Sequence, residues 1–477
     1  MNWVLFKNSL LVSGFAALLA TGFGFIAALW ANGLAGRVRR LVLVLAILSL
    51  ALPPFLVTNS WLHFLGQAGV WRKWLPFNIV SQNGTAWILA TLTWPIPFFA
   101  VLAAWQNLER YQIEADPLVR GWNLIRYALL PLAAPALLQG AIIALVLALN
   151  NFAVPAILQV KVFPAETWVR FSTNFDALGA LQISWPLILV PLLLLLWLRR
   201  RHIQWPRLEG TVPAPVFRQQ LGQGWFWLAG IFSVALAVTS AGLPLWQLLS
   251  VKRTWTELPG ALAAGQAAIW DSAFFAVTSA TLCLAVSLAV VAWKTIKPGR
   301  GGDISFARSL LWLPFLTPGV LLGILLISLF NHGFLAVFYQ SAWIVILALL
   351  IRYFGPGWTT VSHALDSTDR DLEDVARLEG ASRWQMLRYV QWPQVAPQIS
   401  AIWYVLFLLC LWDVESLVLI VPPGHETIAL RIFNLLHYGH NAQVNALCLT
   451  LLLMALVPLA IYVTWSTAHL RTKEARL

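Results

Sequence analysis

Apolar runs long enough to cross a bilayer recur from one end of this 477-residue chain to the other. A helical crossing takes about 20 apolar residues. Hydrocarbon offers no water to backbone N–H and C=O groups, so such runs must satisfy them internally, as helices. The chain is 60% hydrophobic and only 10% charged, and a soluble core could not hide that apolar surface behind so few charges. The expected fold class is therefore an all-α polytopic membrane protein. About eleven spans can be placed: 9–31, 41–62, 84–105, 132–155, 182–198, 225–248, 270–293, 307–330, 340–358, 395–420 and 445–466.

The net charge of +12 raises the question of a nucleic-acid partner, and its placement argues against one. Two polar loops, 109–131 and 369–393, are set in the cytoplasm, which fixes every other side. Most of the basic residues then fall inside, among them Arg37, Arg39 and Arg40, Arg199–Arg201, Lys294 and Lys297, Arg377 and Arg388, and Arg471. This is the positive-inside bias of membrane topology. It puts the N-terminus outside and the C-terminus in the cytoplasm. No cluster of positive charge precedes the first apolar run, so residues 1–31 are not read as a cleavable signal. Cys283, Cys410 and Cys448 all lie in spans, without disulfide or metal-ligand spacing. Tryptophans flanking spans, such as Trp61, Trp105 and Trp270, are read as interfacial anchors. Arg352, near the inner end of its span, is expected to snorkel.

The chain repeats itself. Pro131 and Pro135 match Pro393 and Pro397 at an offset of 262. Glu166-Thr167 and Arg170 resemble Glu426-Thr427 and Arg431 after the equivalent span. Pro53-Pro54 and Pro314/Pro318 sit at similar depth. Spans one to five thus repeat as spans seven to eleven in the same orientation, a parallel duplication. The halves are read as 1–205 (five helices) and 225–477 (six helices), joined by a cytoplasmic linker at 206–224.

The two polar loops read as helix–turn–helix hooks. In the second, Asp369, Asp371, Glu373 and Asp374 crowd a helix start, where negative charge suits the dipole. Glu373 and Arg377 can pair four residues apart. Gly380 permits a sharp turn, and Ser382 with Gln385 has the spacing of a capping box. This loop resembles the EAA loop of binding-protein-dependent ABC importer permeases: Asp374-Val375-Ala376, Gly380, then Val390-x-Trp392-Pro393. Two such loops on one chain are similar to the fused permeases of the iron(III) and thiamine group. The stretch from Pro422 to Gly439 looks like the iron-type branch.

The resemblance implies two type I ABC importer permease halves in a multi-pass inner-membrane protein. It implies that Glu373, Asp374, Ala376, Gly380 and Trp384 meet a separate ATPase subunit, present as a homodimer. A periplasmic or lipid-anchored substrate-binding protein would deliver the solute. The first hook departs from the pattern, because Leu118 stands where Gly380 does. Glu114, Ala115 and Trp122 would make its ATPase contact, with Pro117 or Gly121 turning the chain. No Gly-x4-Gly-Lys loop occurs, so ATP is expected on the partner and no cofactor or metal on this chain.

Charges inside spans need a reason. Asp413 and Glu415 in span ten, and Asn150 and Asn151 at the repeat-equivalent place, can line a translocation route or bond one helix to another. His63, His332, His425, His437 and His440 fall outside and suit a surface met by the binding protein better than a metal site. The function expected is a non-enzymatic permease for ferric iron, with thiamine, phosphonate, polyamine and oxyanion open. The competing reading is an ion- or proton-coupled transporter with Asp413 and Glu415 as carriers. A membrane transferase is disfavoured, since no polar loop could hold a catalytic site.

Overall fold

Helices form where the apolar runs place them, and several break beside a proline, whereas Pro135, Pro191, Pro356, Pro397 and Pro458 lie inside continuous helices. The computed structural model describes residues 3–105, 108, 120–198, 212–296, 310–438 and 443–474. Among the described residues there is no β-strand. Seven helices among the described residues are long and apolar enough to cross a membrane, or up to ten if each bent pair is one span.

The difference from eleven continuous spans lies in the breaks. Span two is Gly36–Ala51 and Pro54–Leu65, bent by 92°. Pro53 holds Leu52 in extended backbone at ψ 137°, and neither Pro53 nor Pro54 can donate to the preceding turn. Spans three and five are bent pairs as well: Gln82–Thr93 with Pro95–Ala104 (43°), and Ala177–Ile183 with Trp185–Trp197 (50°). Span eight is Leu313–Leu316 followed by Gly319–Phe330, with Pro318 at the break. Span ten stops at Leu411 rather than 420.

Contacts divide the chain into two compact units. One is Met1–Thr256 with Leu436–Asn445; the other is Glu257–Leu435 with Ala446–Leu477. In the first, helix Trp3–Asn32 packs against Leu130–Asn150, the bent pair at 82–104 and Gln223–Ala237. Its buried face is small: Ala16, Ala20, Gly24, Ala27 and Ala28. Small residues let membrane helices approach closely. A Cβ at Gly24 would collide with the Phe98 amide, and one at Gly140 with Pro97. Two helices therefore close on the Pro95 bend. The repeat pattern groups Gln223–Ala237 with the second half; its packing lies in the first unit.

In the second unit, Gln266–Ile296, Trp343–Asp366 and Trp392–Leu411 pack together. Taken as strings of elements, the units match. The first helices are 30 and 31 residues long. Each proline break is followed by a 12-residue helix. Each hook leads through a wide π-helical turn, Ile125–Leu129 or Met386–Gln391, into helices of 21 and 20 residues. Within its own unit, Ser9 Oγ accepts the Phe163 N–H at 2.9 Å, and Ser272 Oγ the Ile428 N–H at 2.8 Å.

Two tryptophans are not interfacial anchors. Trp105 is buried and donates its indole N–H to the Leu129 carbonyl at 3.0 Å. Trp61 is buried edge-on against Trp87. Trp270, by contrast, is exposed.

Candidate functional site

The second hook closes on itself. Asp369 caps helix Arg370–Leu378 by accepting the Asp371 N–H at 3.0 Å. Arg377 lies 3.4 Å from Asp374 and 3.7 Å from Glu373. Gly380 follows at φ +78°, a left-handed conformation that disfavours any Cβ. The capping box forms: Ser382 N–H donates to Gln385 Oε1 at 2.8 Å, and Gln385 N–H to Ser382 Oγ at 3.4 Å.

The adjacent acids of this hook have opposite surroundings. Glu373 Oε1 accepts from Thr368 Oγ1 at 2.7 Å and from Gln391 Nε2 at 2.8 Å. Its side chain is only 14% exposed, so it ties the hook's first helix to the elements before and after it. Asp374 is 68% exposed. Beside Asp374, Leu372, Val375 and Leu378 present an exposed apolar row at helical spacing. Ala376 is half-buried and Trp384 exposed. The outward face is thus Asp374, the apolar row and Trp384. Sequence reasoning missed Thr368 and Gln391, which hold Glu373 inward.

The first hook is described from Arg120 onward; Glu114, Ala115 and Pro117 lie outside the described residues. Gly121 takes φ +55°, so a glycine does turn the chain here. Trp122 is exposed and stacks on Trp225, centroids 5.4 Å apart. Gly121 N–H donates to the Gln220 carbonyl at 2.9 Å, and Arg120 Nε to Gln220 Oε1 at 3.2 Å. Neither Gln220 nor Trp225 was singled out from sequence.

The charges within spans form a cluster in the second unit. Arg352 does not snorkel. It is buried, and its guanidinium donates to Glu415 Oε2 at 2.7 Å and to Ser416 Oγ at 2.9 Å. Its Nε lies 3.6 Å from Asp413 Oδ2. The physical reason is pairing: carboxylates within reach satisfy a buried guanidinium without bringing it to water. Asp413 also accepts from Tyr353 Oη at 3.0 Å and from Ser416 N–H and Oγ at 2.9 and 2.8 Å. A Cβ at Gly319 would overlap the Arg352 guanidinium. Asp413 and Glu415 therefore lie in a non-helical stretch after Leu411, not in a continuous span ten.

Asn151 ends helix Leu130–Asn150, and its Oδ1 accepts the Val154 N–H at 3.0 Å. Asn150 is buried at that helix end. The opposite charges of Arg352 and of Asp413 with Glu415 were the available signal for pairing. With Asp413 fully enclosed and multiply bonded, the ion-carrier reading loses its principal group. Among the described residues, no group of three or more His, Cys, Asp or Glu could hold a metal ion.

Described residues that are helical, with broken spans and a capped amphipathic hook, define a polytopic membrane protein. Residues 305–470 match the family described as binding-protein-dependent transport system inner membrane component. The chain is similar to the putative ferric transport system permease protein FbpB 1 of Haemophilus influenzae, 23% identical over 89% of this chain and 71% of that protein. It is similar to the putative 2-aminoethylphosphonate transport system permease protein PhnV of Salmonella paratyphi A, 26% identical over 48% of this chain and 90% of the relative. The spermidine/putrescine transport system permease protein PotC of Escherichia coli is 26% identical over 39% of this chain and 67% of PotC. The chain thus resembles the permease subunits of binding-protein-dependent transport systems, over residues 305–470 by the family match and over most of its length by the ferric-named relative, and its apolar helices fit a multi-pass membrane protein.

Proposed function

We propose that this permease moves ferric iron into the cytoplasm, taking it from an extracytoplasmic binding protein. The observation that carries this reading is length. The relatives named for ferric transport align along 89%, 86% and 98% of this chain, whereas those named for aminoethylphosphonate and spermidine/putrescine align along 48% and 39%. A two-hook chain with its Pro422–Gly439 stretch fits the first group. Phosphonate and polyamine are the competing cargoes.

ATP is bound and hydrolysed by a separate ATPase homodimer, and this chain is non-catalytic. The second hook is its main docking element, through Asp374, Leu372, Val375, Leu378 and Trp384. The hooks face the cytoplasm, with the N-terminus outside and the C-terminus inside. Swinging an alternating-access equilibrium from 1:99 to 99:1 takes about 5.5 kcal/mol of differential binding, which ATP-driven closure of the ATPase can deliver through the hooks.

The test is uptake of radiolabelled ferric iron by proteoliposomes holding permease, ATPase and binding protein. ATP-dependent uptake that survives collapse of the ion gradients is expected. Uptake of aminoethylphosphonate or spermidine in place of iron would reassign the cargo. Uptake lost with the gradient would restore the ion-coupled reading.

A further inference from the structure

The two hooks finish their turns by different means. In the second, the segment after Gly380 is capped from within, by Ser382 and Gln385. At the repeat offset of 262, these positions are Arg120 and Asn123 in the first hook. Arg120 reaches instead to Gln220, a residue 100 positions away. The Gly121 N–H goes to the Gln220 carbonyl, and Trp122, the counterpart of Trp384, is stacked on Trp225.

Gln220 belongs to the short helix Ala214–Leu221, within the segment that links the two halves. That helix is not an idle tether. Phe217 and Leu221 are fully buried and share a core with Trp105, Leu124 and Ile125, the last two from the segment that follows Gly121. Gly222, at φ +82°, ends the helix and sends the chain into Gln223–Ala237, which places Trp225 beneath Trp122. A buried apolar face, two hydrogen bonds and a ring stack all converge on one turn of the first hook.

We infer that the linker helix is a brace standing in for the missing capping box, and that Gln220 is the positioning residue that sets the first hook for its ATPase. The coupling part rests on the importer reading above; the brace itself does not. A merely space-filling helix would need Phe217 and Leu221 but not the Arg120–Gln220 pair.

The experiment uses the full-length chain in lipid nanodiscs and follows amide hydrogen exchange over 120–129 and 382–391. Gln220→Ala is expected to speed exchange in the first segment by about tenfold or more, the scale of a lost charge-assisted hydrogen bond, and to leave the second unchanged. Gln220→Glu, which keeps the acceptor, is expected to restore protection. Trp225→Ala should act on the same segment alone. Unchanged exchange in both Gln220→Ala and Trp225→Ala overturns the brace, as does equal loosening of both hooks. With ATPase and binding protein added, Gln220→Ala should lower ATP-driven uptake and Gln220→Glu recover it. Uptake untouched despite a loosened first hook would overturn the positioning role. Variants that show the exchange pattern, with a wild-type chain that retains no ATPase, would leave the brace standing and sink the importer reading.

Discussion

Asn151 and Asp413, 262 positions apart, make the same bond. Each follows a membrane helix, and each Oδ1 accepts the N–H three residues on, from Val154 at 3.0 Å and from Ser416 at 2.9 Å. The duplication has kept a cap while changing its charge. In the second unit that charge is answered by Arg352.

Because the shared feature is the cap, Asp413→Asn should be mild and Asp413→Ala costly. The alanine variant loses the bonds from Ser416 and Tyr353, each about 1.5–3 kcal/mol for a charged acceptor before relaxation. Thermal unfolding of the detergent-purified protein checks the order. Equal Tm loss for both variants would count against the cap.

Arg352→Met leaves two buried carboxylates without their cation, a loss of about 3–5 kcal/mol. Adding Glu415→Gln and Asp413→Asn should recover a large part of it. The double and triple variants, compared by the same unfolding assay, report whether the cluster is a structural lock. Non-recovery points to a role for the charge itself.

Gly319→Ala puts a methyl group into the Arg352 guanidinium, and overpacking of this kind costs about 1–3 kcal/mol. Gly323→Ala, one turn along, meets neighbours only at ordinary contact distance, 3.5 Å. The first substitution should lower Tm and the second should not.

At the second hook, Gly380→Val strains a left-handed backbone by about 1–2 kcal/mol, although nothing crowds the position. Coupled uptake should fall while membrane insertion stays normal. Gly380→Asn, which tolerates that conformation better, should fall less.

Docking through the outward face predicts that Leu372→Glu with Val375→Glu releases the ATPase on purification. Glu373→Ala should act otherwise, by loosening 368–391 toward protease. If Glu373→Ala instead loses the ATPase with the hook intact, the acid is a contact residue.

Much of this was legible in the sequence. Composition and run length gave the helical membrane class, and the Ser382–Gln385 spacing gave a cap that the structure forms. The breaks were less legible. Hydropathy runs straight through Pro53 and through 411–420, because an apolar residue scores the same in a helix and in a buried turn. Arg352 was misjudged since snorkelling weighs one side chain and the membrane alone, while its partners lie 61 and 63 positions on. Gln220 carried no local signal at all: a glutamine before a leucine says nothing about an arginine 100 residues earlier.

The placement of Gln220 and Trp225 bears on how such a chain could be divided. Cut anywhere in 201–211, it would yield pieces of unequal self-sufficiency. The C-terminal piece would carry a hook whose turn is completed by its own neighbours. The N-terminal piece would have left behind the side chains that finish its hook. The linker helix and Trp225 are therefore part of how the first hook is built, and a version made as two polypeptides should work only if the cut falls after Trp225.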